Sequence, residues 1–182
     1  MGAPQGLNFV DPATVVNQLS IGSGSQVADF GCGSGYFTFE FARRVGADGG
    51  VVWALDVLPS ALEAVASRAK TLGLFNISTK RVNLENEQGS GLPPSSMDWI
   101  ILKDVLLQNQ KKDVMRREVK RVLKSGGHAL IMEWNPDEAL VGPEKQLRIK
   151  PEELKGLLTQ VQLSVEQELN VGGFHYAFVV KK

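Results

Sequence analysis

Residues 27–37, VADFGCGSGYF, combine an apolar run, an acid and three glycines at alternate positions. The glycines are Gly31, Gly33 and Gly35, and the acid that precedes them is Asp29. Because glycine has no side chain, its backbone can turn sharply and a ligand can approach it closely. The amide groups at the start of a following helix can also bind an anionic group. The pattern predicts a strand–helix turn that binds a nucleotide-like ligand.

The spacing of the glycines argues against two common phosphate-binding turns. A dinucleotide-binding turn has the pattern G-x-G-x-x-G, and its third glycine would fall at position 36. That position is Tyr36, so a turn that cradles a pyrophosphate is disfavoured. No G-K-[ST] follows the glycines, so a Walker-type phosphate loop is absent as well.

A second acid lies at a position from which it could bind a ribose. Asp56 ends the apolar run VVWALD and lies 21 residues after Gly35. An acid at the end of a second strand can accept hydrogen bonds from both ribose hydroxyls. Asp29 lies inside the end of the first run, where it either orients the amides of the turn or meets the ammonium group of a ligand. The three glycines and the two acids together favour a nucleoside site over a bare turn.

The composition restricts the class of protein. The one cysteine, Cys32, excludes an internal disulfide and a cluster of thiolate metal ligands, and we expect no metal site. The first residues lack the pattern of a secretory signal, and no apolar run approaches the ~20 residues that span a bilayer. We therefore expect a soluble, cytoplasmic protein in which residues 1–182 form one domain. A short segment, 1–10, is expected to precede a helix from about Pro12.

The charge pattern gives no support to a nucleic-acid partner. The 20 basic and 20 acidic residues balance, so no general field attracts nucleic acid or anionic lipid. Basic side chains cluster between Lys111 and Lys124, but no aromatic residues alternate with them for base stacking. We expect a small-molecule partner instead.

Apolar patterning predicts strands that alternate with helices over most of the chain. Helices are expected to begin near Pro12, Gly35, Pro59, Asp113 and Pro151, the fourth ending at the two glycines 126–127. Strands are expected over residues 26–30, 51–56, 77–83, 97–104, 128–134, 164–171 and 174–182. The last two strands flank a Gly-Gly pair and are typical of an antiparallel hairpin.

This alternation predicts an α/β fold. Parallel strands joined by helices form a sheet that is covered on both faces. We expect a three-layer, doubly wound, Rossmann-like sheet that is mostly parallel and has an antiparallel C-terminal strand. In such sheets ligands bind beyond the carboxyl ends of the strands, where the strand order reverses. The glycine turn and Asp56 would lie together at that edge.

Four segments together resemble one family. DFGCGSGYF, ALD, MDWIILKDVL and REVKRVLKSGGHALIMEW are similar to the class I S-adenosylmethionine-dependent methyltransferases, in particular to the small ubiquinone/menaquinone-biosynthesis subgroup. The resemblance covers residues 8–180, and R-V-L-K-x-G-G before a strand is its most specific motif. It implies a seven-stranded sheet with a final antiparallel strand, and S-adenosylmethionine as the cofactor.

The resemblance also implies a role for each residue of the nucleoside site. The three glycines of the turn would wrap the methionine part and the sugar of the cofactor. Asp29 matches the acid that is associated with the amino end of the cofactor. Asp56 would bind the ribose hydroxyls, and Val57 beside it would line the adenine slot.

Two further cofactor-binding positions depart from the family's pattern. Asn83 stands where the family often has an acid that reads the adenine amino group, and its side-chain oxygen can accept the same hydrogen bond. Lys103 lies near the end of the fourth predicted strand, where the family usually has a small or amide residue. Its backbone carbonyl would be the useful group, and its side chain either pairs with the cofactor carboxylate or points to water.

On the acceptor side the sequence offers candidates but no assigned catalytic residue. Methyl transfer from a sulfonium needs alignment and the exclusion of water, and it needs a base only if the nucleophile must lose a proton. The candidates are Tyr36, Gln108, Glu133, Trp134, His175 and Tyr176.

These candidates differ in what their positions imply. Gln108 follows the fourth strand, where relatives often place a histidine, so that base is not expected here. Glu133 ends the fifth strand and is either a hydrogen-bonded rim carboxylate or a functional one. His175 and Tyr176 are neighbours in a strand, so only one of them can point at the site. A structural role is favoured for His175.

We therefore expect methyl transfer from S-adenosylmethionine to an unidentified small molecule. The alternative is a protein of the same fold that binds the cofactor without turnover, because the histidine is missing near Gln108 and no insertion is long enough to form a lid. A nicotinamide-dependent oxidoreductase is disfavoured by Tyr36. The acceptor site is expected to be open, or completed by a partner subunit in a homo-oligomer, with the loop 135–150 as a partial cover.

Overall fold

The computed structural model describes residues 10–137 and 141–182. The part of the chain that it describes contains one seven-stranded sheet. Its strands are β1 (Gln26–Phe30), β2 (Val51–Asp56), β3 (Ile77–Arg81), β4 (Met97–Lys103), β5 (Leu123–Trp134), β6 (Ser164–Leu169) and β7 (His175–Lys181). Residues 1–9, most of the short segment predicted before the first helix, lie outside the described residues.

The sheet is mostly parallel, and its strand order is β3-β2-β1-β4-β5-β7-β6. The strands β3, β2, β1, β4 and β5 run in one direction. β7 lies antiparallel between β5 and β6. The chain moves outward from β1 to β3 and then returns to β4 on the other side of β1, so the order reverses there. The predicted fold class, with its antiparallel C-terminal strand, is confirmed.

The described residues form five α-helices, of which the first precedes β1 and the other four lie between strands. They are α1 (Pro12–Asn17), α2 (Thr38–Val45), α3 (Pro59–Thr71), α4 (Lys112–Val122) and α5 (Pro151–Gln160). Three begin at a proline, whose fixed φ and missing amide hydrogen suit the first helical position. The side chain of Asp11 caps α1 by accepting the amide of Thr14 at 3.0 Å. None of these helices is long and apolar enough to cross a membrane.

Helices cover the sheet on both faces. Val15 and Val16 of α1 and Phe41 of α2 pack on one face, and α3 continues that layer at β2. Met115 of α4 and Leu154 of α5 pack on the other face. Because side chains alternate along a strand, neighbouring residues belong to different layers. This alternation decides which residues at the ends of the strands meet.

Two helix boundaries differ from the sequence prediction. α2 begins at Thr38 and not at Gly35, because residues 35–37 still belong to the turn. α4 ends at Val122, and the two glycines 126–127 do not cap it. Leu123 already pairs with Met97 in the sheet, and both glycines form backbone hydrogen bonds with Lys182. The amphipathic pattern of α4 continues directly into β5, and no residue in the sequence marks where the helix ends and the strand begins.

Candidate cofactor and acceptor site

An open cleft lies beyond the carboxyl ends of β1 to β4, where the strand order reverses. Its volume is about 420 Å³, inside the range of roughly 300–1,000 Å³ that is usual for small-molecule sites. Each of the four strands contributes residues from its carboxyl end. The lining consists of Gly31, Gly33, Asp56, Val57, Leu58, Val82, Asn83, Leu84, Glu85, Lys103, Asp104, Val105, Gln108, Asn109 and Met115.

The turn between β1 and α2 has three glycines in the left-handed region. Their φ angles are 75° at Gly31, 51° at Gly33 and 83° at Gly35. Residues with a β-carbon rarely adopt these angles, which explains the three glycines. The amides of Gly31 and Cys32 both donate to the carbonyl of Leu55, at 2.8 and 3.0 Å. The turn is therefore tied to the end of β2.

The three glycines have different surroundings. A β-carbon on Gly31 would lie 2.8 Å from Cγ2 of Val105, and one on Gly35 would lie 2.7 Å from the ring of Phe39. A β-carbon on Gly33 would meet no described atom within 4 Å. Gly35 does not line the cleft, since it makes room for the packing of α2. Gly33 is the glycine that is open to a ligand.

The carboxylate of Asp56 connects β2 to the glycine turn. Its Oδ2 accepts the amide of Gly33 and its Oδ1 accepts the amide of Leu58, each at 2.9 Å. A carboxylate oxygen can accept more than one hydrogen bond, so both oxygens retain acceptor capacity toward the cleft. The half-buried Asp56 is therefore fixed in place and still available to hydroxyl groups.

Apolar side chains flank Asp56 and form one wall of the cleft. Val57 and Leu58 are 50% and 58% exposed, although both are large apolar residues. Leu84 and Met115 line the cleft with them. Asn83 lies beside this wall, and its Oδ1 accepts the amide of Glu85 at 2.9 Å. An apolar wall with one amide side chain suits a purine ring and its amino group.

Asp29 lies in the core and not in the cleft. It shares the α2-facing side of β1 with Val27, as strand alternation requires, and it is 3% exposed. Its Oδ2 accepts the hydroxyl of Thr38 at 2.6 Å. Burial raises the pKa of Asp29 to about 6, in spite of this hydrogen bond. The recorded side-chain contacts of Asp29 join β1 to α2 and do not reach the glycine amides.

Lys103 and Asp104 are adjacent at the carboxyl end of β4, and both line the cleft. Their side chains form a salt bridge. The sequence left two alternatives for the Lys103 side chain, a pair with the cofactor carboxylate or a position in water. The salt bridge with Asp104 shows that its ammonium does not simply point to water.

Glu133 is fully buried, so it is not a rim carboxylate. It faces the α4 side of the sheet, and its Oε1 accepts the amide of Leu106 at 2.9 Å. Burial, followed by the negative charge of Asp104, raises the pKa of Glu133 to about 8. The side chain consequently carries a proton at neutral pH.

His175 and Tyr176 point to opposite faces, as predicted for neighbours in a strand. The Nε2 of His175 lies 3.1 Å from Oδ1 and 3.3 Å from Oδ2 of Asp104. The ring of His175 packs against Trp134 with a centroid distance of 4.3 Å. Tyr176 points into the α4–α5 layer and donates its hydroxyl to the carbonyl of Ile149 at 2.8 Å. His175 is thus the neighbour that reaches a residue of the cleft.

The other acceptor-side candidates are dispersed. Tyr36 is half-exposed and donates its hydroxyl to the carbonyl of Val10. Gln108 lines the cleft and donates Nε2 to the carbonyl of Asp104 at 2.8 Å. Trp134 lies outside the cleft lining, against His175.

The described part of the loop 135–150 packs against Trp134. The guanidinium of Arg148 lies 5.6 Å from the ring of Trp134. It also donates to the carbonyls of Asn135, Val141 and Pro143 at 2.7–2.9 Å. These contacts hold the described part of the loop beside His175. This position, near the carboxyl ends of the strands, agrees with the expected one. Residues 138–140 of the loop lie outside the described residues.

Asp104 lines the cleft but is not among the site residues predicted from the sequence. The signal was present, because ILKD ends a buried strand with an acid just as ALD does at Asp56. The left-handed backbone of Asp104, with φ 58°, has no comparable signature in the sequence. The strand-end acid alone would have been sufficient to include it.

Comparison with known proteins identifies the class. Residues 21–173 match a family model described as a methyltransferase domain. The chain belongs to this family and is a class I S-adenosylmethionine-dependent methyltransferase domain, similar in sequence to the ubiquinone/menaquinone-biosynthesis methyltransferases.

Two relatives illustrate how far the sequence similarity extends. The chain is 30% identical over 131 residues to the ubiquinone/menaquinone biosynthesis C-methyltransferase UbiE of Pasteurella multocida, covering 71% of this chain and 47% of that protein. It is 32% identical over 128 residues to an arsenite methyltransferase of Aquipseudomonas alcaligenes, covering 68% of this chain and 36% of that protein. The chain spans less than half the length of either relative.

Solved structures share the fold. A S-adenosylmethionine-dependent methyltransferase from Aquifex aeolicus superposes with a TM-score of 0.86 at 24% identity, over 98% of this chain and 93% of that one. The [4+2]-cyclase SpnF superposes with a TM-score of 0.79 at 18% identity, over 94% and 80% of the two chains. The second likeness shows that this fold also occurs in a protein named for a different reaction.

Proposed function

We propose that this protein transfers a methyl group from S-adenosylmethionine to a small molecule. The observation that carries the proposal is the carboxylate of Asp56 at the end of β2. It is fixed by the amide of Gly33 and faces a cleft with an apolar wall. An acid in this position binds the hydroxyls of a ribose.

The lining of the cleft fits the nucleoside part of the cofactor. Asp56 would accept hydrogen bonds from the ribose hydroxyls, and Val57 and Leu58 would pack on the adenine ring. Asn83 would accept a hydrogen bond from the adenine amino group. Gly33 leaves open space where any side chain would project, so a ligand can contact its backbone.

The charged groups near β4 fit the amino-acid part of the cofactor. Gly31 and Lys103 line the cleft on the side away from β3. The Lys103 ammonium would attract the cofactor carboxylate. Asp29 and Gly35 would act indirectly, because their contacts with Thr38 and Phe39 fix the position of α2 behind the turn.

S-adenosylmethionine supplies a methyl group on a positively charged sulfur, which is already a good leaving group. The task of the chain is to align the acceptor and to exclude water. Trp134 and the described part of the loop 135–150 would cover the acceptor side.

A small-molecule acceptor is supported by the names of the relatives, which refer to quinone biosynthesis and to arsenite. Arsenite itself is disfavoured as the acceptor here, because Cys32 is the one cysteine in the chain and it is buried. Burial also raises the pKa of the Cys32 thiol, so it is not a reactive thiolate.

A cofactor-binding protein without turnover remains the second candidate. The amide of Gln108 occupies the position after β4 and donates to the backbone of Asp104, so it supplies no base. The likeness to a cyclase of the same fold also shows that the fold does not require methyl transfer.

Calorimetry and a turnover assay separate these functions. We expect the protein to bind S-adenosylmethionine and S-adenosylhomocysteine and not to bind NAD. Binding of neither sulfur compound would contradict both candidates. Transfer of label from methyl-labelled S-adenosylmethionine into a small-molecule cell extract is expected for the enzyme, and binding without transfer identifies the binding protein.

A further inference from the structure

The carboxyl edge of the sheet continues beyond the nucleoside part of the cleft. In the strand order, β1 is followed by β4, β5 and β7. Neighbouring strands lie about 4.8 Å apart, so the ends of β2 and β4 are separated by about 10 Å. A nucleoside at Asp56 therefore leaves Asp104 at the other end of the same cleft, on the side where β5 and β7 follow β4 in the sheet.

Three buried side-chain atoms have no hydrogen-bond partner among the described residues. They are Oδ1 of Asp104, Oε2 of Glu133 and Nδ1 of His175. Asp104 interacts with both of the other residues, since His175 contacts its carboxylate and its charge acts on Glu133. Buried polar atoms are normally paired. This cluster holds the three such atoms found in the described chain, so the protein itself does not fully pair the polar groups around Asp104.

Asp104 has a backbone conformation that is rare for residues other than glycine. Its φ is 58°. Its amide donates to the carbonyl of Met132 at 2.9 Å, and its carbonyl accepts Nε2 of Gln108 at 2.8 Å. These bonds hold the residue where its side chain lines the cleft. A left-handed backbone is uncommon for residues other than glycine, and aspartate and asparagine adopt it more readily than most.

The charges around Asp104 leave it as an anion. Burial raises its pKa, but the hydrogen bond from His175 and the charge of Lys103 outweigh burial, so the pKa lies below its usual value. Glu133, the remaining ionisable neighbour in this cluster, is protonated because its pKa is raised to about 8. The cluster thus presents one carboxylate to the cleft.

We propose that Asp104 receives the proton of the methyl acceptor and that His175 is its positioning residue. This inference rests on the proposed function. The acceptor is then a neutral molecule with a hydroxyl or an amine as its nucleophile. His175 would donate Nε2–H to the carboxylate and so fix its orientation.

The proposed step balances as follows for an acceptor X–H. The X atom forms its bond to the methyl carbon, the X–H bond breaks, and the proton passes to the carboxylate of Asp104. The electron pair of the methyl–sulfur bond returns to sulfur, which becomes a neutral thioether. A carboxylate of low pKa suffices, because X–H becomes strongly acidic as X gains the methyl group.

Asp104→Asn is the closest test of this role. Asparagine tolerates the left-handed backbone and has the shape of aspartate, so the change removes the charge and little else. His175→Gln tests the positioning residue. His128→Gln is the matched control, because it is the other histidine of the chain and lies six residues before Trp134 in β5, roughly 20 Å along the strand.

Two measurements are made on all variants. Calorimetry with S-adenosylhomocysteine reports the cofactor site, and transfer from methyl-labelled S-adenosylmethionine into a small-molecule extract reports turnover. We expect binding within about threefold of wild type throughout. Transfer should fall at least 100-fold in Asp104→Asn and about tenfold in His175→Gln, and it should not change in His128→Gln.

The pH dependence distinguishes positioning from simple structural support. Loss of the His175 hydrogen bond removes one cause that lowers the pKa of Asp104. The acidic limb of the rate profile should therefore move to higher pH in His175→Gln. Lys103, Glu133 and His175 are the ionisable groups that face Asp104, and the last is the one removed.

Several results would overturn the inference. Asp104→Asn with the wild-type transfer rate would exclude the proton-accepting role. Loss of S-adenosylhomocysteine binding in that variant would assign Asp104 to the cofactor instead, and an unshifted pH profile in His175→Gln would exclude positioning. A wild type that binds but transfers nothing would overturn the role and leave the cofactor site intact. A wild type that does not bind would contradict the proposed function itself.

Discussion

At the scale of single residues, the fold gives different pKa values to three acids, Asp29, Asp104 and Glu133, that the sequence does not distinguish. Burial raises the pKa of Asp29 to about 6 and that of Glu133 to about 8. For Asp104 the effect of burial is outweighed by the hydrogen bond from His175 and the charge of Lys103, so its pKa is lowered. The sequence places these three acids at or near the ends of β1, β4 and β5, but the pKa of each depends on its neighbours in the fold.

Glu133→Gln should remove a pH-dependent loss of stability. The pKa of Glu133 is 4.5 in its unperturbed state and about 8 in the folded protein. Between these values the folded state binds more protons than the unfolded state, so the free energy of unfolding falls as the pH rises. Glutamine does not titrate and can still accept the amide of Leu106. Relative to wild type, the variant should gain on the order of 3 kcal/mol between pH 5 and pH 8.

Urea unfolding at both pH values measures this difference. Glu153→Gln is a suitable control, since it removes an exposed glutamate of α5 and should show no such change. A difference between Glu133→Gln and wild type that stays constant with pH would show that Glu133 is ionised in the folded protein.

At the scale of elements, the turn between β1 and α2 combines two functions that the sequence does not separate. Gly33 and Gly35 have the same spacing and the same left-handed backbone. Only their neighbours differ, because Gly35 packs on Phe39 and Val65 and Gly33 is open. The sequence therefore predicts the turn but not which glycine faces the ligand.

Replacing each of these glycines with alanine should have different consequences. Gly33→Ala should cost about 1–2 kcal/mol of stability from its backbone alone, while its methyl group, at a cleft-lining position, weakens cofactor binding at least tenfold. Gly35→Ala should cost about 3 kcal/mol, since its β-carbon would lie 2.7 Å from Phe39 and 3.0 Å from Val65.

Urea unfolding and calorimetry with S-adenosylhomocysteine test the pair together. Gly49→Ala is the control, because Gly49 has a similar φ of 79° and open surroundings but does not line the cleft. Undiminished binding in Gly33→Ala would contradict its assignment to the ligand face.

The boundary between α4 and β5 shows a different limit of sequence interpretation. The two glycines 126–127 suggest the end of a helix, yet they form backbone hydrogen bonds with Lys182, where β5 lies beside the end of β7. Leu123 is completely buried in the sheet core. Pairing with distant strands determines this boundary, and the local pattern of apolar and polar residues does not predict it.

At the scale of the whole molecule, the order of strands arranges the functional groups along one edge. The ends of β3, β2 and β1 supply the nucleoside part of the cleft, and the ends of β4, β5 and β7 supply the cluster around Asp104. Strand positions, their directions and the acid at Asp56 were predictable, because buried strands and strand-end acids have local signatures. The contact between Asp104 and His175 was not, since it joins residues 71 positions apart.

The most direct test of the central claim is calorimetric titration of Asp56→Ala with S-adenosylmethionine. Asp98→Ala is the matched control, because Asp98 also accepts a backbone amide, that of Gln26, but lies near the start of β4, away from the cleft. We predict that Asp56→Ala weakens binding at least 100-fold and that Asp98→Ala leaves it within about threefold of wild type. Retained affinity in a folded Asp56→Ala protein would contradict the account, because the ribose would then be bound elsewhere.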